Sequence, residues 1–253
     1  MLAEIFGVAL DRGPLVGMAF VFVTQFVFGL GLYYGLSRLS FWWFFEKNWD
    51  RYFSDEKQHP NPDEIKKSQR LAVWGTFGNA ILGAPFQYYV AKGQSKVYYN
   101  VGDHGWLYFV FSFLFFLAFT ETFVYWAHRW LHHPLIYKYI HLKHHEYRKP
   151  TPWVSFAFHP LDSFAQAVPH YICAFILPVH ISIYAGFVVF VMLWTFFIHD
   201  QVSWVRHPWI NYTAHHTMHH TYNKYNFGQF LTFWDRLGGT YRDPMKETRH
   251  VLR

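Results

Sequence analysis

The sequence predicts an all-α integral membrane protein, with about four to five transmembrane or membrane-embedded helices and a cytosolic cap rich in histidine. Three observations carry this. Hydrophobic residues make up 52% and aromatics 23% of the 253 residues, while charged residues make up only 15%. A soluble globular chain holds roughly 25% charged residues, so a membrane is the natural solvent for this much apolar surface. Four long stretches are almost free of Asp, Glu, Lys and Arg. The 18 histidines gather mostly in the polar segments that border those stretches.

The first apolar stretch runs from Gly13 to Ser37 and the second from Leu71 to Ala91. Each reaches the roughly 20 residues a helix needs to cross the hydrocarbon core. Between them lies a polar loop, Ser54 to Asp63, and Asp63 is expected to cap the helix that follows. The third stretch, Gly105 to Ala127, is interrupted only by Glu121. The fourth, Ala165 to Ile198, is too long for one straight span and contains Pro169 and Pro178. Proline breaks or kinks a helix, so a helical hairpin or a pair of short, tilted segments is expected there.

Charge orients these spans. The loop after the first stretch carries Arg38, Lys47, Arg51, Lys57, Lys66, Lys67 and Arg70, against only Lys92 and Lys96 after the second. The positive-inside rule puts the first loop in the cytosol. The third span then returns the chain to the cytosol at His128, and a hairpin over 165–198 starts and ends on that side. Residues 128–162 and 199–253, which hold most of the histidines, therefore share one aqueous face. The net charge of +6 reads as this bias and as contact with anionic headgroups, with no nucleic acid implied. The chain divides into membrane helices and a cytosolic loop over 1–104, and a region over 105–253 that holds every histidine cluster. The single cysteine, Cys173, excludes a disulfide framework and a cysteine-rich zinc site.

The clusters have metal-ligand spacing. His128 and His132 are four apart and sit on one face of a helix. His141, His144 and His145 repeat the pattern, as do His216, His219 and His220, and the three imidazoles of each are expected to point one way. His199 leaves lipid depth at the end of the fourth stretch, where a histidine needs a partner. Imidazole suits zinc, copper, iron and nickel. So many imidazoles exceed what one ion takes and suit two. A His-Glu-x-x-His protease motif is absent, since Arg129 follows His128. Two iron ions acting with O2 on a lipid fit the ligand number and the membrane setting; zinc or a structural metal cluster is the alternative.

These residues resemble the fatty acid hydroxylase / sterol desaturase superfamily, whose three histidine boxes match 128–132, 141–145 and 216–220. The likeness continues through Lys149-Pro150-Thr151-Pro152 and Ala157-Phe158-His159-Pro160-Leu161-Asp162. It extends to Ile198-His199-Asp200, Tyr225-Asn226-Phe227-Gly228-Gln229 and Trp234-Asp235-Arg236-Leu237-Gly238-Gly239. These segments are most similar to the sterol C-5 desaturase (lathosterol oxidase) branch. The resemblance implies a catalytic region over 105–253 and a multi-pass protein of the endoplasmic reticulum membrane. It implies a non-haem di-iron centre that uses O2 to introduce a C5–C6 double bond into a Δ7-sterol. Electrons would come from an external donor, cytochrome b5 and its NAD(P)H-dependent reductase. Two other classes stand beside this one: a hydroxylase of a sterol, sphingoid or fatty acyl lipid, and a metal transporter or sensor.

Metal-bound imidazoles usually donate their second ring N–H to a carboxylate or carbonyl. Asp162, Asp200 and Asp235 lie near the clusters in sequence and are the candidates, with Glu121 as an intramembrane carboxylate. His133 and His215 flank their boxes and His159 packs nearby; all three are candidates for supporting roles. His59, His104, His170, His180, His207 and His250 are read as having no part in the site.

Overall fold

The computed structural model describes residues 9–53 and 59–247. Lys57 and His250 lie outside the described residues. The architecture is helical, as the apolar patterning requires. Helix α1 (Pro14–Phe41) runs on into a π-helical turn, Trp42–Lys47. Helix α2 (Pro62–Ala91) follows, then α3 (Gly105–Leu131) and a short α4 (Pro134–Ile140). Helices α5 (Pro160–Ile176) and α6 (Ile181–His199) form the expected hairpin, and α7 (Thr213–Tyr222) carries the last cluster. Among the described residues three segments are long and apolar enough to cross a membrane, Pro14–Lys47, Gly105–Leu131 and Ile181–His199, and the second expected span, Leu71 to Ala91, is not one of them. Helices α2 and α5 pack among them.

Two local expectations need correction. Asn61, not Asp63, caps α2: its side chain accepts from the backbone N–H of Asp63 at 2.9 Å. Pro62 takes the first helical position, where its missing N–H costs nothing. Asp63 falls inside the first turn, where a negative charge suits the helix dipole. In the hairpin, Pro178 lies in the link between α5 and α6, whereas Pro169 is accommodated inside α5.

Helix α1 runs antiparallel to α2, with Gly17 against Tyr88 and Gly29 against Thr76. Small residues let membrane helices approach closely, and α2 uses this again at its other face. A Cβ on Gly75 would lie 2.7 Å from the carbonyl oxygen of Phe158, and one on Gly78 would collide with Pro160. The chain leading into α5 therefore lies directly on α2. At the far end, β1 (Val97–Tyr98) pairs in parallel with β2 (Val179–His180), in register Val97 to Val179 and Tyr98 to His180. This pairing ties the α2–α3 link to the hairpin turn. A core of Phe116, Cys173, Ile183, Tyr184 and Phe187 fills the space between α3, α5 and α6. Cys173 is a buried packing residue there. The other ends of α3, α5 and α6 converge on the histidines.

Candidate metal centre

Four chain segments deliver the nine box and linker histidines to one place. The last turn of α3 supplies His128, and the residue after it is His132. The turn Leu142–His145 and the residue before it supply His141, His144 and His145. His199 ends α6, and α7 supplies His216, His219 and His220. They divide into two groups: His128, His132, His141, His145 and His219, and His144, His199, His216 and His220. Within each group the ligand atoms lie within 4.8 Å of one another.

The division corrects the expectation that each box points one way. In the second box His141 and His145 join one group and His144 the other; in the third, His216 and His220 join one and His219 the other. Helical geometry explains this. At 3.6 residues per turn, positions i and i+4 differ by about 40° in direction, whereas i+3 and i+4 differ by about 100°. Each of these two boxes therefore straddles both groups and holds them side by side.

Backbone and carboxylate oxygens fix the rings. The Nδ1 atoms of His128, His144, His199 and His219 lie 2.9, 3.2, 2.6 and 2.8 Å from the carbonyl oxygens of Phe227, Ala157, Thr195 and Tyr225. His141 Nδ1 lies 2.6 Å from Asp162 Oδ2, and both residues are fully buried. Gln166 Nε2 donates to the other oxygen of Asp162 at 2.8 Å. An acceptor beside Nδ1 puts the proton there and leaves the Nε2 lone pair free.

Within the two groups Nε2 atoms face each other. The separations are 3.0 Å for His141 and His145, 3.1 Å for His145 and His219, 3.0 Å for His199 and His216, and 3.1 Å for His216 and His220. Metal–nitrogen bonds of about 2.1 Å at right angles put two nitrogens about 3.0 Å apart, against about 3.4 Å at the tetrahedral angle. The donor spacing fits ligands at right angles around a cation. The Nε2 of His132 is buried without a hydrogen-bond partner beside them. Burial, and then repulsion among neighbours, pushes His144, His145, His216, His219 and His220 well below the ordinary imidazole value. Neutral imidazole is the form that binds a metal. The residues present thus fit two metal ions.

The expected supporting residues fall into three sets. Asp162 touches a box histidine directly. Asp235 and Glu121 act at one remove. Asp235 accepts from the backbone N–H groups of Phe227 and Gly228 and from the Thr240 hydroxyl, each at 2.8 Å. Glu121 accepts from the N–H groups of Phe230 and Leu231 at 3.0 and 2.9 Å. Together they pin 227–231, the segment whose Phe227 carbonyl faces His128. The third set is engaged with other partners. Asp200 is buried but accepts from Val202 N–H in the turn after α6. His133 and His159 cap α4 and α5 through their Nδ1 atoms. His215 is buried against Tyr212 and Tyr241, with burial lowering it to about 4.

Sequence reasoning missed the ring-fixing carbonyls, since any residue supplies one, and it missed a cavity. This cavity, of about 550 Å³, lies between α1, α2, α5 and α6. One end is walled by Phe158, which stacks on His144 at 4.2 Å, and by Thr195, whose carbonyl faces His199. The other end reaches Ile181 and Tyr99. From Thr195 to Ile181 along α6 the wall runs about 21 Å at 1.5 Å per residue. Its lining is chiefly apolar, with Gln229 and the buried His170 among the polar exceptions.

A family model described as fatty acid hydroxylase matches residues 113–240. Delta(7)-sterol 5(6)-desaturase erg3B of Aspergillus fumigatus is 40% identical over 230 residues, covering 90% of this chain and 67% of that one. Rat lathosterol oxidase is 46% identical over 158 residues, covering 60% of this chain and 53% of its own, and the human lathosterol oxidase is 39% identical over 194, covering 74% and 65%. The chain thus spans between about half and two thirds of the length of these relatives. No solved structure matches.

Proposed function

We propose, from the premise that this chain belongs to the fatty acid hydroxylase family, that it is an O2-dependent membrane oxidase introducing the C5–C6 double bond of a Δ7-sterol. One observation carries this reading: two groups of inward-facing imidazoles stand at the end of a long, mainly apolar cavity among membrane-type helices. Ligand pockets typically measure about 300–1,000 Å³, and an elongated apolar cavity suits a rigid lipid. The names of the relatives support the choice of sterol.

In this reading one iron is held by His128, His132, His141, His145 and His219, and the other by His144, His199, His216 and His220. The bound irons supply the oxidation that removes hydrogen from an unactivated carbon, with O2 as oxidant. The chain's own groups prepare for it. Asp162 accepts the Nδ1 proton of His141, orients that ring and raises its basicity. The carbonyls of Phe227, Ala157, Thr195 and Tyr225 orient four other rings in the same way. Phe158 closes the cavity beside His144 and keeps water from the site. Glu121 and Asp235 hold the 227–231 backbone so that the ring positions survive substrate entry.

The electron donor is cytochrome b5 with its NAD(P)H-dependent reductase. Exposed Lys138, Lys143, Arg148 and Lys224 on the histidine cap suit an acidic partner. The site is cytosolic and the membrane is that of the endoplasmic reticulum. The family description favours a second reading, hydroxylation of a lipid. Sterol analysis of a C-5-desaturase-deficient host expressing the chain separates them. A Δ5,7-sterol accumulates if the proposal holds; a hydroxylated lipid replaces it under the second reading; unaltered Δ7-sterol with no oxidised lipid defeats both.

A further inference from the structure

The polar lining of the cavity is mostly self-satisfied. Gln166 donates to Asp162, Tyr171 donates to Asn79, Gln87 donates to Tyr184, and the Thr195 hydroxyl donates to the carbonyl of Val191. Gln229 is different. Its amide oxygen is buried and finds no partner, although the residue lines the cavity. A buried carbonyl left unpaired is destabilising, so an occupant that donates to it is preferred.

The backbone around Gln229 is fixed on every side. Its own carbonyl accepts from Trp194 Nε1 at 2.9 Å, and the next two N–H groups donate to Glu121. Two residues earlier, the Phe227 carbonyl faces His128 Nδ1. Trp194 in turn precedes Thr195, whose carbonyl faces His199. Gln229 is therefore held to both metal groups through rigid backbone, at the histidine end of the cavity. Among the described residues two further lining groups are buried without a partner: the Thr76 hydroxyl, on the side of α2 that meets Gly29, and His170, which lies eight residues along α5 from Asp162, about 12 Å.

We propose that the amide oxygen of Gln229 accepts a hydrogen bond from the hydroxyl of the substrate and sets its depth in the cavity. The inference rests on the sterol reading above and deepens it. In a 3-hydroxysterol, carbon 3 is separated from carbon 5 by a single ring carbon. A hydroxyl anchored near the histidines thus places the ring carbons to be oxidised beside them, and the hydrocarbon tail fills the apolar length towards Ile181. Gln229 is on this account a specificity-determining residue, with no role in the hydrogen removal itself.

The test compares a Δ7-sterol bearing the 3-hydroxyl with its analogue in which hydrogen replaces the hydroxyl. The full chain is assayed in membranes of a host that lacks its own C-5 desaturase but supplies the electron donor. The parent protein should favour the alcohol in kcat/KM by about 5- to 100-fold, the range expected from one buried hydrogen bond. In Gln229→Leu, and in the more nearly isosteric Gln229→Met should the first fail to accumulate, this ratio should fall toward parity at the parent's iron content. A variant that keeps the parent's ratio overturns the inference and leaves the sterol reading standing. An equal fall for both substrates also overturns it, since that marks a purely structural residue. A parent protein that oxidises neither sterol overturns the reading and the inference together.

Discussion

His199 is the residue on which the proposed two-metal centre depends most visibly. It ends a helix apolar enough to span the membrane, is 1% exposed, and its Nε2 lies 3.0 Å from that of His216. His199→Ala should abolish product formation and lower iron content while the protein still accumulates in the membrane. His207→Ala should do neither: its ring only caps a turn, accepting from Trp209 N–H at 3.3 Å in an exposed position. A His199→Ala protein with the parent's iron and activity would show that the boxes alone suffice. Asp162→Asn keeps the shape beside His141 but removes the charge that holds its ring. Replacing such a partner typically weakens metal affinity about 10- to 100-fold, which competition with a metal chelator measures. Eight of the nine inward-facing histidines were legible in the sequence because a helix imposes its period on ligand spacing, and His199 because it ends an apolar stretch. His133, His159 and His215 look the same on paper. The chain direction separates them, since His133 and His159 precede prolines that start helices and are spent as caps.

At the scale of elements, the contact between α2 and the entry to α5 decides whether His144 is held. The second box reaches the site from a short turn, and its His144 ring is set by the Ala157 carbonyl and the Phe158 ring. That segment lies on Gly75 and Gly78. Gly75→Ala should push Phe158 off the helix, lower the iron content and reduce activity. Gly31→Ala, in α1 with open space around it, should be neutral or slightly stabilising, since alanine is the better helix former by about 1 kcal/mol. Iron and activity measured on both variants check the pair; a Gly75→Ala protein indistinguishable from Gly31→Ala would refute the contact's importance. This link was not legible in advance. A glycine in an apolar helix signals close approach but never its partner. The cavity was hidden for the same reason, because its wall draws on four helices far apart in sequence. The hairpin was legible from length and proline, although only Pro178 marks the break.

For the whole molecule, shared sidedness is the condition for a shared site. The 128–162 region and the 199–222 region converge at one end of the bundle, opposite the β1–β2 pair. Single cysteines placed at the exposed positions Arg148 and Lys224, with buried Cys173 replaced, should both be labelled from the cytosolic side. Labelling from opposite sides would separate the two halves of the site. The crowding of neutral histidines also makes the metal-free protein acid-sensitive. Burial holds His144, His145, His216, His219 and His220 well below 6.5 in the folded state. The unfolded chain binds protons near 6.5 and the folded one does not. Stability is therefore full above that value and falls as the pH drops below it, so the Tm of metal-stripped protein should be lower at pH 5.5 than at pH 7.5. An equal or higher Tm at pH 5.5 would contradict this. Two irons shared among nine histidines can be counted. Protein purified from iron-replete cells and measured for iron per chain should give two ions at full occupancy; a saturating value of one ion or fewer would rule out a two-iron centre.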